Sequence, residues 1–173
     1  RVQPLLRHWL GCAGPAWRLE LQVQNLGFVG TANRGMELTQ GSIVLLNSDT
    51  VLTPGWLDGL GRCLASDPAI ATATPWTNNG EIASLPAMCV ANPMPRNSDA
   101  VARVIAGTGQ AGYPELPTAV GFCMAISRTA IDSIGPFDEQ LFGLGYGEEN
   151  DFSMRACTAG LRNVLCDDVY VAH

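Results

Sequence analysis

The chain has 173 residues, 47% of them hydrophobic and 15% charged, with a formal net charge of -6; that is enough apolar mass for one substantial core and, by default, one domain. All ten basic residues are arginines, spread from Arg1 to Arg162 without a run, which argues against the clustered positive surface that nucleic-acid binding requires. An acidic chain that binds a phosphorylated small molecule must neutralise the anion locally, with a helix N-terminus, an arginine or a metal ion.

No apolar stretch reaches the ~18 residues of a membrane span, and the first residues do not read as a signal peptide. The six cysteines (Cys12, Cys63, Cys89, Cys123, Cys157 and Cys166) include no CxxC, and most lie in apolar context. Free, buried thiols in a reducing compartment are expected. The expected location is cytoplasmic, with peripheral attachment to the inner face of a membrane as a variant of it.

In chain order, residues 2–10 carry apolar side chains at helical spacing, and Gly11 suits the end of that helix. Residues 18–23 alternate apolar and polar, the pattern of a strand with one solvated face. Residues 25–28 make a turn and 28–38 read as a helix. The run Ile43-Val44-Leu45-Leu46, between Gly41 and Asn47-Ser48-Asp49, predicts a strand buried on both faces. Thr53 as N-cap and Pro54 at the first position open a helix with Leu57, Leu60 and Leu64 on one face, and residues 69–74 return as a strand. Strand, helix, strand, helix, strand argues for a mostly parallel sheet between helical layers.

Residues 75–117 hold six of the eleven prolines and Asn78-Asn79-Gly80, and only 98–105 read as helix; a segment of this kind is expected to be an acceptor-side insertion or lid, with disorder as the plain alternative. Residues 118–127 alternate as a strand, and Ser127 caps a short helix closed by Gly135-Pro136. A glycine-rich apolar loop at 141–147 leads into a helix from Glu148 to Ala159, ended by Gly160, with three carboxylates in its first turn. Residues 162–166 and 169–172 are two last short strands.

Chemistry can reside in Asp49, in the Glu148-Glu149-Asn150-Asp151 cluster and in His173. Asp49 follows a strand, at the edge where open α/β sheets bind ligands. Each also has a plain alternative. Asn47 and Asp49 make a turn, Asp151 and Arg155 form a surface pair one helical turn apart, Glu148 and Glu149 face the helix dipole, and His173 is simply exposed.

Taken together, the segments Asn25-Leu26-Gly27-Phe28, Asn33-Arg34-Gly35, Ile43 through Asp49, Gly121 through Arg128, Gly135-Pro136-Phe137-Asp138-Glu139, Gly147 through Arg155 and Val171-Ala172-His173 form an ordered set. In that order and spacing, the chain from about residue 20 onward resembles the nucleotide-sugar glycosyltransferases of the GT-A fold, family 2, which include rhamnosyltransferase-like enzymes. The resemblance implies an α/β, three-layer GT-A-like domain over residues 1–173, a fragment lacking the N-terminal strand-helix-strand of its relatives. It also implies inverting transfer of a sugar from a nucleotide-diphosphate donor to a glycan, lipid-linked or other hydroxyl acceptor, in polysaccharide or cell-envelope glycan synthesis.

Carried over by position, Asp49 resembles the last residue of the family's metal motif, with Asn47 in its first place, and His173 matches a late histidine that completes the shell of Mn2+ or Mg2+. An imidazole among oxygen ligands suits Mn2+ somewhat better. Glu149 takes the place of the catalytic base, an aspartate in most relatives, with Glu148 and Asp151 as the competing carboxylates. Asn25, Gly27, Asn33, Asn47, Gly121 and Arg155 fall on the donor side. A sugar-1-phosphate nucleotidyltransferase and a silent GT-A-like binding module remain as alternatives, although no glycine-rich basic loop suited to a triphosphate is present.

Overall fold

Residues 3–13, 17–108 and 111–173 are described by the computed structural model. Among them, four strands form one sheet, β1 (Ile43–Leu46), β2 (Ile70–Trp76), β3 (Cys123–Ile126) and β4 (Arg162–Tyr170), in the order β1-β3-β2-β4. β3 is antiparallel to β1 and to β2, whereas β2 and β4 are parallel. Three strands therefore point one way and β3 alone is reversed, which makes the sheet mixed. Seven helices accompany it: α1 (Gln3–Ala13), α2 (Gly27–Glu37), α3 (Trp56–Ser66), α4 (Ser98–Ala106), α5 (Arg128–Ile134), α6 (Glu139–Phe142) and α7 (Glu148–Thr158).

The sheet is covered on both faces, as the alternation of β3 requires. Met124 and Ile126 pack with Val29 and Met36 of α2, Ile131 of α5 and Phe152 of α7. Cys123 and Ala125 point the other way, toward Leu60 and Cys63 of α3 and Val164 and Cys166 of β4. Phe152 is fully buried and meets Phe137 edge-on at 5.5 Å between ring centroids, a burial that stabilises by about 1.5–3 kcal/mol. A third, smaller cluster packs Ile105 of α4 against Tyr170 and Ala172. The interior of β2 carries two threonines, and both have partners. Thr72 donates to Asn163 Oδ1 at 2.8 Å, and Thr74 accepts from the Val120 N–H at 3.1 Å.

Several expectations from local pattern change. Residues 18–23 lie outside any strand, and Val23 is wholly exposed; alternation without a pairing partner does not hold a strand. β1 is an edge strand and is half-buried, with Leu46 exposed. Thr53 does not cap α3: its hydroxyl donates to the Tyr170 carbonyl, and Gly55 at φ 77° begins the helix. Gly11 lies inside α1, residues 118–122 precede β3 as loop, and the two last strands are one, β4. Three of the six free cysteines (Cys12, Cys89 and Cys157) are exposed.

Candidate active site at the sheet edge

Because β1, β2 and β4 share a direction, their C-terminal ends meet at one edge of the sheet, and the reversal of β3 brings its N-terminal end to the same edge. Leu46 pairs with Cys123, and Trp76 with Tyr170. The residues just beyond these ends surround a cleft of about 540 Å³. Asn47 follows β1, Asn79-Gly80-Glu81 follow β2, His173 follows β4, and Val120-Gly121-Phe122 precede β3. Phe28 of α2, Leu144 and Tyr146 of the loop before α7, and Glu148 and Glu149 at the start of α7 complete the wall.

His173 is held on every side. Asn78 Nδ2 donates to its main-chain oxygen at 2.6 Å, and Asn78 Oδ1 accepts from its N–H at 2.9 Å. Its ring stacks on Phe122 at 5.3 Å with 18° between planes. That stack needs Gly80, since a Cβ there would lie 3.0 Å from the Phe122 ring and 2.5 Å from the Thr77 methyl. Nδ1 lies 2.7 Å from the Asn79 carbonyl. A carbonyl only accepts, so Nδ1 carries a hydrogen and points it at Asn79. Nε2 faces the Asp49 carboxylate, 3.5 Å from Oδ1, and the Asp49 side chain is 73% exposed.

This pair fits a divalent ion in donor chemistry: a hard carboxylate oxygen beside an imidazole whose second nitrogen is anchored to a carbonyl, the usual arrangement around a metal-binding histidine. No cluster of three or more His, Cys, Asp or Glu suited to a metal exists among the described residues. An ion here would draw its remaining ligands from phosphate and water, as Mg²⁺ and Mn²⁺ commonly do at phosphate sites.

α7 supplies the carboxylates. Gly147 at φ 102° is its N-cap and, lacking a side chain, makes no capping hydrogen bond to the first turn. Glu148 is 6% exposed, and its Oε2 has no hydrogen-bond partner among the described residues. Burial pushes its proton affinity above the ordinary range and the Glu149 carboxylate adds to the rise, while its own N–H and that of Tyr146 act against it. Glu149 is half-buried on the cleft wall. Asp151 is engaged elsewhere, accepting from Arg155 Nε at 2.7 Å.

The residues expected on the donor side divide into two groups. Asn47 and Gly121 line the cleft, and a Cβ on Gly121 would meet nothing within 4 Å. The other four stand behind it. Asn33 is buried and exchanges two 3.0 Å hydrogen bonds with the main chain of Phe137. Arg155 donates to the carbonyls of Ile134 and Pro136, Asn25 accepts from the Gly27 N–H, and Gly27, at φ 71°, lets the α2 start approach the main chain of Gly143 and Leu144. Asn78, Asn79, Phe122 and Tyr146 had no place among the expected site residues. The Asn78-Asn79-Gly80 run reads locally as a loop signal, and nothing local to Phe122 marks it as the partner of the His173 ring.

No known protein-family model and no curated protein sequence matches the chain. Its fold does match a solved structure, that of GalNAc-T7 with UDP, GalNAc and Mn2+, at a TM-score of 0.64 and 14% identity; the match covers 88% of this chain and 31% of that one. The chain thus has a GT-A-like α/β fold and spans about a third of the length of that protein.

Proposed function

We propose that the chain carries the catalytic edge of a metal-dependent glycosyltransferase of the family 2 type, which moves a sugar from a nucleotide-diphosphate donor to an acceptor hydroxyl with inversion. The observation that carries this reading is the meeting of Asp49 and His173, 3.5 Å apart, beside a cleft that also presents the two carboxylates of α7. Support comes from the GT-A-like fold and from the solved GalNAc-T7 structure containing UDP and Mn2+.

Asp49 and His173 would hold the ion, Mn2+ or Mg2+, which when bound supplies a Lewis acid for the departing diphosphate. Asn47 and Gly121 lie on the donor side, where the absence of a side chain at 121 lets a sugar ring approach the main chain. Asn25, Gly27, Asn33 and Arg155 act at one remove, by fixing α2 and α7 around the cleft. Glu149 takes the proton of the attacking hydroxyl as that oxygen bonds to the anomeric carbon; the bond to the diphosphate oxygen breaks and its electron pair leaves with the diphosphate. Leu144 and Tyr146, both strongly exposed at the cleft mouth, are placed to exclude water once a substrate lies against them.

The acceptor enters from the side of the 75–117 segment, whose Asn79, Gly80 and Glu81 form that wall, and it is a glycan or lipid-linked hydroxyl in polysaccharide or envelope glycan synthesis. No helix among the described residues is long and apolar enough to cross a membrane, and the reading places the domain on the cytoplasmic side, where nucleotide sugars are made. Release of nucleoside diphosphate from a panel of nucleotide sugars, with and without chelator, tests the function on the full-length protein. Metal-dependent release from at least one donor supports it. Pyrophosphate release from a sugar 1-phosphate and a nucleoside triphosphate would instead identify a nucleotidyltransferase, and no turnover of either kind a binding module.

A further inference from the structure

Asn78 is 4% exposed and lies at the centre of a hydrogen-bond knot. Its amide makes both available main-chain bonds to His173, at 2.6 and 2.9 Å, and its Oδ1 also accepts from the Tyr170 hydroxyl at 3.3 Å. On the insertion side, the Asn78 carbonyl accepts from both the main-chain N–H and the side-chain amide of Asn92 at 3.0 Å. Asn92 in turn donates to the carbonyls of Ala87 and Val90.

A two-point amide clamp of this kind imitates one rung of a strand ladder, yet it acts on a single residue after β4 has ended. It removes the freedom that a residue beyond the last strand otherwise keeps, a cost of about 1–2 kcal/mol for the backbone alone. With the His173 main chain fixed, the ring falls between Phe122 and the Asn79 carbonyl. That contact places a hydrogen on Nδ1 and turns Nε2 toward Asp49. Neither ring nitrogen of a histidine is fixed as the donor by the side chain itself, so the Asn79 carbonyl is what draws a hydrogen to Nδ1 here.

We propose that Asn78 is a positioning residue for ion binding: by clamping the His173 main chain it selects the tautomer and direction that Nε2 needs to join Asp49 on a divalent ion. The proposal rests on the reading of Asp49 and His173 given above. The same knot joins the 75–117 segment to the ion side of the cleft, because Asn92 and His173 share one asparagine.

The test uses the full-length protein and two probes. The first is Mn2+ with UDP, followed by water-proton relaxation. Asn78→Ala lowers Mn2+ affinity about 10-fold, in line with the loss of a residue that orients a metal-bound histidine. In a His173→Ala background the same change adds less than about twofold, as a double-mutant cycle requires when one residue acts through the other. Thr72→Val, which removes the Thr72–Asn163 bond inside the sheet, is the control for destabilisation and leaves Mn2+ affinity unchanged. An undiminished affinity in Asn78→Ala, or an equal loss with and without His173, overturns the proposal.

The second probe is the 15N spectrum of the His173 ring in ion-free protein, where wild type shows hydrogen on Nδ1 and Asn78→Ala shows it on Nε2. If wild type binds no Mn2+, the metal reading fails while this spectrum still decides whether Asn78 positions the ring; an unchanged tautomer in Asn78→Ala overturns that. Should Asn78→Ala not fold, Asn78→Asp carries the same spectral test, because it keeps the acceptor toward the His173 N–H and loses the donor toward its main-chain oxygen.

Discussion

His173 Nε2 stands 3.5 Å from Asp49 Oδ1, so the loop after the first strand and the residue after the last are joined at one point of the sheet edge. The Asp49 side chain is 73% exposed and supports no core contact. Asp49→Ala is therefore expected to abolish Mn2+-dependent binding of a nucleoside diphosphate by the full-length protein while its thermal unfolding midpoint stays within about 2 °C of wild type. Equal nucleoside diphosphate affinity with and without chelator in the wild-type protein would show that no ion bridges protein and diphosphate.

Glu149 is expected to be the base. Glu149→Gln keeps the shape of the side chain and removes its ability to take a proton, so kcat falls by about 10² to 10⁴ with donor affinity nearly unchanged. Asp151→Asn should retain turnover within about tenfold, because its carboxylate is tied to Arg155 at 2.7 Å. Normal turnover in Glu149→Gln, with the loss appearing in Glu148→Gln or Asp151→Asn, moves the base to that neighbour.

Glu148 makes stability depend on pH in a stated direction. Its folded-state proton affinity is raised, mainly by burial. At low pH, folded and unfolded chains both hold the proton and ionisation of this residue contributes nothing to the balance. As pH rises past the ordinary carboxyl value of 4.5, the unfolded chain releases its proton first, and stability falls until the folded carboxyl has ionised too. Glu148→Gln removes this slope. Its melting temperature should match wild type below about pH 4 and exceed it increasingly above that; a gap that does not change with pH rules the effect out.

Arg155 is expected to matter to the fold more than to the donor directly. Its guanidinium donates to the carbonyls of Ile134 and Pro136, as well as to Asp151. Arg155→Ala leaves two carbonyls without that donor and should cost about 1–3 kcal/mol in chemical denaturation. Asp151→Asn removes only a partly exposed ion pair and should cost about 0.2–1 kcal/mol. A larger loss for Asp151→Asn than for Arg155→Ala contradicts this division.

The parts of the fold set by local chemistry were legible in the sequence. Ser127 caps α5 and accepts from the Ala130 N–H, the carboxylates open α7, and Gly160 follows its end, because caps and termini depend on residues a few positions apart. Reversal of β3 was not legible, since direction within a sheet depends on how the chain crosses back, and 118–127 alternates equally well either way up. Thr53 followed by Pro54 has the form of a helix start, but burial against β4 directed its hydroxyl to Tyr170. At the candidate site, motif order singles out Asp49 and His173, which the fold brings within 3.5 Å. It does not single out Asn78 and Phe122, as their roles exist only once residue 173 has been brought beside them.

Gly121 lines the cleft, and nothing stands within 4 Å of where its side chain would begin. Under the proposed function it is therefore a sizing position: carbons added there would take space from the donor sugar without disturbing the sheet behind, and so would trade large donors for small ones while leaving the ion side and the carboxylates as they are.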